Sequence, residues 1–191
     1  MIKAVATGAR IPKFPDILPS MQPTIEFRPL AMSDLPLLHE WLARPHIREW
    51  WGAPDTPEEI TAEYEPVIAG RLPHECFFAL KNGEPIGFIQ SYVPALCHDE
   101  GWWLEEHDLT VRGIDQFLAN SEQLGRGLGT AMVSAFVARL FSDPAVTRIQ
   151  TDPDPKNARA IRCYEKAGFR AERQVDTLDG PALLMYCDRP R

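Results

Sequence analysis

Three glycines in five residues, Gly125, Gly127 and Gly129 of "QLGRGLGT", run straight into an apolar segment without helix breakers from Ala131 to Phe141. Such a turn leaves backbone N–H groups unshielded at a helix N-terminus, beside the positive end of the helix dipole. That suits an anion: without side chains a diphosphate can approach the backbone, and Arg126 and Thr130 add donors. The bare spacing equally suits a flexible turn ahead of a helix. It does not fit a dinucleotide fingerprint, which needs Gly-x-Gly-x-x-Gly and a following acid, nor a Walker loop, which ends in Gly-Lys-Ser/Thr.

Downstream, "NARAIRCYEKAGF" places Asn157, Ala160 and Tyr164 on one face of a helix. A tyrosine held beside a phosphate-binding turn can donate a proton to a leaving group, and the same position suits a core tyrosine with a satisfied hydroxyl. Upstream, Asp115 of "VRGIDQFLA" offers a carboxylate that can take a proton from an ammonium group. Its alternative is a strand-end salt bridge. Loop-borne acids (Asp99, Glu100, Glu105, Glu106, Asp108, Asp152, Asp154, Asp179) and the pairs Trp50-Trp51 and Trp102-Trp103 could meet a polycationic, sugar-like ligand. Neighbouring side chains in such a pair tend to point opposite ways, so one of each pair is expected in the cleft, Trp51 and Trp103. The five histidines have no metal-ligand spacing, and no metal site is expected; His74 reads as a surface residue, with a place near the acceptor as its alternative.

The elements that must position these groups follow from patterning. "TIEFRPL" alternates as a strand; "MSDLPLLHEWLARP" reads as a helix capped by Ser33; "HIREWWG" reads as an exposed link. "TPEEITAEYEPVIAG" is a helix with a Thr cap, Pro at its first position and a stop at Gly70. "ECFFALKNGEPIGFIQSYV" is a hairpin turning at Asn82-Gly83, and "VRGIDQFLA" a central strand. After the glycine turn and its helix come a strand "VTRIQTDP", the helix "NARAIRCYEKAG" and strands "FRAERQVDT" and "PALLMYCDR" about Asp179-Gly180. The fold class is α/β (α+β), a mixed sheet of about six to seven strands flanked by about four helices.

Composition narrows the class. With 191 residues, 25% charged and 45% apolar, the chain reads as a single globular domain over 23–191, preceded by a proline-broken extension over 1–22. No apolar run reaches the roughly 20 residues that span a bilayer, so no membrane partner is expected. A net charge of −7 disfavours nucleic acid and favours a cationic partner. The scattered Cys76, Cys97, Cys163 and Cys187 read as reduced thiols of a cytoplasmic protein.

The two motifs in this order resemble the GNAT superfamily of N-acetyltransferases, whose diphosphate turn is Gln/Arg-x-x-Gly-x-Gly/Ala and whose second element is Asn-x-x-Ala-x-x-x-Tyr-x-x-x-Gly-Phe. Asn157, Ala160, Tyr164, Gly168 and Phe169 match the second in full, while Leu124 stands where Gln or Arg is usual, with Gln123 one place earlier. From about Thr24 onward, "HIREWWG", "NGEPIG", "QSYV", "GWW", "VRGIDQFLAN", "IQTDP" and "DGPA" look similar to the aminoglycoside 6′-N-acetyltransferases of the Ib type. The resemblance implies the GNAT fold and transfer of acetyl from acetyl-coenzyme A (acetyl-CoA) to the 6′-amine of an aminoglycoside, by an enzyme that is a monomer or weak dimer. It implies Asp115 as base and Tyr164 as acid. It implies coenzyme contacts from Gln116, Phe117 and Leu118, from Gln123, Leu124, Gly125, Arg126, Gly127, Leu128, Gly129 and Thr130, and from Asn157, Ala160 and Lys166. The acceptor would meet Trp51, Glu100, Trp103, Asp115, Leu118, Asp152 and Asp179; Glu100 replaces the more usual Asp, which lengthens that arm and retunes antibiotic preference. Another small amine, such as a siderophore precursor or polyamine, is the rival acceptor.

Overall fold

The computed structural model describes residues 24–52 and 56–190, so the expected N-terminal extension lies outside the described residues. Seven strands form one sheet in the order β1-β2-β3-β4-β5-β7-β6: β1 (Ile25–Pro29), β2 (Glu75–Lys81), β3 (Glu84–Tyr92), β4 (Val111–Leu118), β5 (Arg148–Thr151), β6 (Arg170–Thr177) and β7 (Gly180–Asp188). All neighbouring strands are antiparallel except β4 and β5. The β2–β3 turn has Asn82 at φ 54° and Gly83 at φ 81°, the double positive φ that joins twisted strands without splaying them.

Five α-helices cover the sheet, one more than expected: α1 (Leu35–Leu42), α2 (Pro45–Trp51), α3 (Pro57–Ile68), α4 (Leu128–Leu140) and α5 (Ala158–Lys166). The extra one is α2, the stretch read as an exposed link. Pro45 presets φ at its start, and Ile47 is buried against the α1–α3 core. Ser33 is not the cap of α1. It lies in a 3-10 turn, Met32–Asp34, while the Asp34 carboxylate accepts from Ala31 N–H and from both Arg28 terminal nitrogens at 2.8 and 2.9 Å. For α3 the expected cap holds: Thr56 and Glu59 form a reciprocal capping box. Helix α4 starts at Leu128, earlier than the apolar run suggested, so Gly129 and Thr130 belong to its first turn.

Strand alternation sends Phe78, Phe88 and Phe117 into a core with Trp41, Ile60 and Tyr64 of α1 and α3, and sends Phe77, Ile89, Ile114 and Ile149 into a second core with Phe136 and Tyr164 of α4 and α5. On β4, Asp115 therefore shares a face with Phe117, and Gln116 shares the opposite face with Ile114 and Leu118.

One irregularity organises the site. Strands β4 and β5 pair only over Val111–Gly113 and Arg148–Gln150, and beyond that point they part. The rest of β4 pairs with β3 alone, and Ala119 N–H donates to Ile86 C=O. By alternation, the N–H and C=O groups of Gln116 and Leu118 face the gap.

Gly87, where β3 crosses this half of β4, tolerates no side chain: an added Cβ would collide with the Phe117 carbonyl oxygen. We expect Gly87→Ala to destabilise the fold by about 2–3 kcal/mol and to lower Tm by roughly 5–10 °C in thermal denaturation followed by circular dichroism. An unchanged Tm would show that the β3–β4 pair is not held this closely.

Candidate active site

Beside the outer half of β4 the glycine turn opens a cleft of about 390 Å³, bounded by α4 and α5 on one side and by α2 on the other. Gly125 and Gly127 take φ 73° and 81°, a region costly for residues with a Cβ, and Gly127 caps α4 without a side-chain hydrogen bond. Open space stands where a Cβ would be at either glycine. The first-turn amides of α4 are therefore uncapped and approachable, which fits a phosphate-bearing ligand. Gln116, Phe117 and Leu118 form one wall, and Leu124, Gly129 and Thr130 continue the turn. The α5 wall brings Asn157, Ala160 and Lys166 as expected, and adds Arg159, Arg162 and Cys163. Among the described residues, Arg126, Arg159, Arg162 and Lys166 make no ion pair with a protein carboxylate. Their positive charge is left facing solvent beside the turn.

Some expected contacts are placed differently. Asn157 borders the cleft, but its side-chain oxygen is committed to capping α5, accepting from Ala160 N–H at 3.0 Å. Gln123, Arg126 and Leu128 are not among the residues lining the cleft. The Gln123 Oε1 is buried without a hydrogen-bond partner, Leu128 packs under the turn with Met132 and Leu118, and Arg126 is exposed. Trp50 and Trp51 both border this cleft, because α2 sets neighbouring side chains about 100° apart rather than opposite. Trp51 packs edge-on against Phe117 and Phe88, with ring centroids at 5.0 and 5.9 Å. It stands on the wall shared with the glycine turn. Sequence reasoning did not single out His46, whose Nε2 lies 3.0 Å from Leu118 O, or Arg44, which donates to Ala119 O at 2.7 Å. Together these side chains tie α2 to the outer end of β4.

On the other face of β4 lies a set of acids. Asp115 accepts a 3.0 Å hydrogen bond from Gln90, its register partner on β3, and among the described residues makes no salt bridge. Burial pushes its carboxyl up to about 6, with Asp179 adding to the rise and Gln90 opposing it. Burial, then the charges of Asp115 and Asp179, push Asp152 up to about 8. Asp115 and Asp152 thus both feel the charge of Asp179, and among the described residues neither is paired with a cation. Tyr92 faces the same group: burial and the charges of Asp115 and Asp152 raise its phenol, and the Trp103 side chain hydrogen-bonds to it. Glu100 and Asp179 sit on exposed loops, and these loops meet where Leu178 approaches Gly101. His74 is half-buried rather than on the surface, its ring against Tyr92 at 6.0 Å and its Nε2 3.8 Å from the Cys97 sulfur. Gln90 and Tyr92 escaped the sequence reading; only the alternation of "QSYV" and its register against β4 could have found them.

Tyr164 is 4% exposed and packs on Phe169 at 5.3 Å. Its hydroxyl meets the side chains of Thr151 on β5 and Gln116 on β4, the two strands that part, and burial pushes the phenol further up from its ordinary value. Among the described residues no cluster of His, Cys, Asp or Glu is placed to hold a metal ion.

The geometry is that of a protein which presents amide donors and arginines on one side of a strand and carboxylates on the other. An acetyltransferase (GNAT) domain family matches residues 31–177. The chain is 51% identical to aminoglycoside N(6′)-acetyltransferase type 1 of Klebsiella pneumoniae over 91% of this chain and 87% of that one. Among solved structures it is similar to AAC(6′)-Ib in complex with parmomycin and acetyl-CoA, with 53% identity, a TM-score of 0.82 and coverage of 87% and 94%. The same enzyme in complex with coenzyme A and kanamycin matches with 52% identity, a TM-score of 0.82 and coverage of 87% and 95%. The chain belongs to the GNAT acetyltransferases and, within them, to the aminoglycoside N(6′)-acetyltransferases.

Proposed function

We propose that this enzyme transfers acetyl from acetyl-CoA to the 6′-amine of aminoglycoside antibiotics and so inactivates them. The observation that carries the reading is the division of β4: an uncapped helix start with basic neighbours on one face, the buried and raised carboxyls of Asp115 and Asp152 on the other, and a gap between β4 and β5 where the two can meet.

The uncapped amides from Gly127 to Thr130, with Arg159, Arg162 and Lys166, hold the coenzyme's phosphates. The Gln116 and Leu118 main chain, facing the gap, orients the thioester, and an N–H there polarises its carbonyl. Asp115, Asp152 and Asp179 take the ammonium groups out of water, and Trp103 and Tyr92 wall the sugar ring. Asp115 accepts the proton of the attacking amine; as the new C–N bond forms and the C–S bond breaks, Tyr164 gives its proton to the departing sulfur. Gln90 keeps the Asp115 carboxyl turned to its task. We also place the enzyme in the cytoplasm as a monomer or weak dimer, without nucleic acid or membrane as partner. Four free cysteines and the absence, among the described residues, of any helix long and apolar enough to cross a membrane support that placement.

The direct test is thiol release from acetyl-CoA with kanamycin and with an aminoglycoside bearing a 6′-hydroxyl. Turnover is expected with the first alone; equal turnover of simple polyamines would favour the rival acceptor. Asp115→Asn should lower kcat/KM by about 10²-fold or more. The base works only as a carboxylate, so in the unaltered enzyme kcat/KM should fall as pH drops through about 6, instead of near the ordinary Asp range. A profile flat to pH 5 would remove Asp115 as base. Tyr164→Phe should slow kcat while leaving coenzyme A binding, measured by calorimetry, unchanged; loss of binding would make Tyr164 structural.

A further inference from the structure

We propose that His98 is a positioning residue for the acceptor side of this reaction, acting through Trp103. The inference rests on the acceptor site described above. Among the described residues Trp103 is one of two non-glycine residues with positive φ, at 52°; the other is Asn82 in its turn. Asparagine tolerates that region, whereas a bulky indole residue is strained there and persists only if its surroundings over-determine it.

His98 is what over-determines it. Its Nε2 lies 3.0 Å from Trp103 O and 2.8 Å from Glu106 O. Both partners are carbonyl acceptors, so Nε2 carries a hydrogen, which it donates to the two ends of one turn. That turn is closed by Glu106 N–H donating to Trp103 O at 2.8 Å. On the near side, Gly101 N–H donates to His98 O at 2.9 Å, and Gly101 takes φ 85°, so the loop wraps around the ring. The His107 ring closes the last side, edge-on at 5.2 Å.

The clasp has a direction. With its backbone fixed at positive φ, Trp103 turns its indole to the Tyr92 hydroxyl. The Tyr92 ring in turn lies directly over Gly113, in the space where a side chain there would stand. The phenol lies in the field of Asp115 and Asp152. A line of contacts thus runs from His98 through Trp103 and Tyr92 to the acids, although no hydrogen bond joins His98 to them. Releasing the clasp should free Trp103 to leave its strained conformation and take the aromatic wall away from the sugar, with the coenzyme cleft on the other face of β4 untouched.

The test is initial-rate kinetics on the full chain and on His98→Ala, His98→Gln, Trp103→Ala and the His98→Ala/Trp103→Ala double variant, varying kanamycin and acetyl-CoA in turn. His98→Ala should raise KM for kanamycin about 5- to 30-fold, the range of a lost aromatic contact to a cationic sugar, with kcat and the acetyl-CoA KM little changed. Glutamine, whose amide carries two N–H groups near the reach of Nε2, should restore KM, and in the Trp103→Ala background removing His98 should add nothing further. An unchanged KM, an equal rise in the acetyl-CoA KM, or full additivity would overturn the proposal. A second readout needs no substrate: in 1H-15N spectra, His98→Ala should shift the indole N–H signal that Trp103→Phe deletes and leave the other indole signals in place. Failure of any aminoglycoside to turn over in the unaltered enzyme would overturn the proposed function, while the indole signal would still decide the clasp.

Discussion

The separation of β4 from β5 after Gly113 and Gln150 is the constraint on which the rest depends. A parallel pair with only three registers of contact leaves the second half of β4 with polar main-chain groups and no sheet partner. Buried groups of that kind must be satisfied by something. His46 takes one carbonyl and Arg44 the next, which draws α2 against the open edge. The remaining groups, at Gln116 and Leu118, are the polar floor of the gap, and Tyr164 bridges its inner end between Gln116 and Thr151. A fully zipped sheet would satisfy the same groups and leave no place for a reaction.

Charge is arranged about that gap. The chain is acidic, at −7, yet the helix wall beside the glycine turn is basic and the opposite face of β4 is acidic. Burial raises Asp115 and Asp152, and among the described residues no cation is paired with either. An arriving ammonium group reverses that penalty, so affinity for a polycation is stored in the unliganded acids. The basic wall does the same for a polyanion. One strand keeps the two partners of opposite charge on its two faces and lets them touch only where β5 has withdrawn.

Much of this was legible in the sequence where local chemistry decides. Asn82-Gly83 fixes its turn because both residues tolerate positive φ, and Thr56 with Glu59 fixes the start of α3. The glycines before α4 and the face carrying Asn157, Ala160 and Tyr164 follow from spacing alone. What depends on tertiary packing was not legible. "HIREWWG" is too short and too aromatic to declare itself a helix, and only the fold shows that α2 brings Trp50 and Trp51 to the same cleft as the glycine turn. Gln90 becomes important only because register sets it opposite Asp115, and His98 only because a loop closes around its ring. Neither relation has a signature in composition or periodicity.

A crystal structure with coenzyme A and kanamycin bound together tests the central claim most directly, that β4 presents donor and acceptor to each other across its parted edge. The account predicts the diphosphate on the amides from Gly127 to Thr130, the sulfur beside the Tyr164 hydroxyl, and the 6′-amine between that sulfur and Asp115, within about 4 Å of the reacting centre. An antibiotic amine held away from the gap, or a coenzyme whose sulfur lies outside the parted strands, would contradict it.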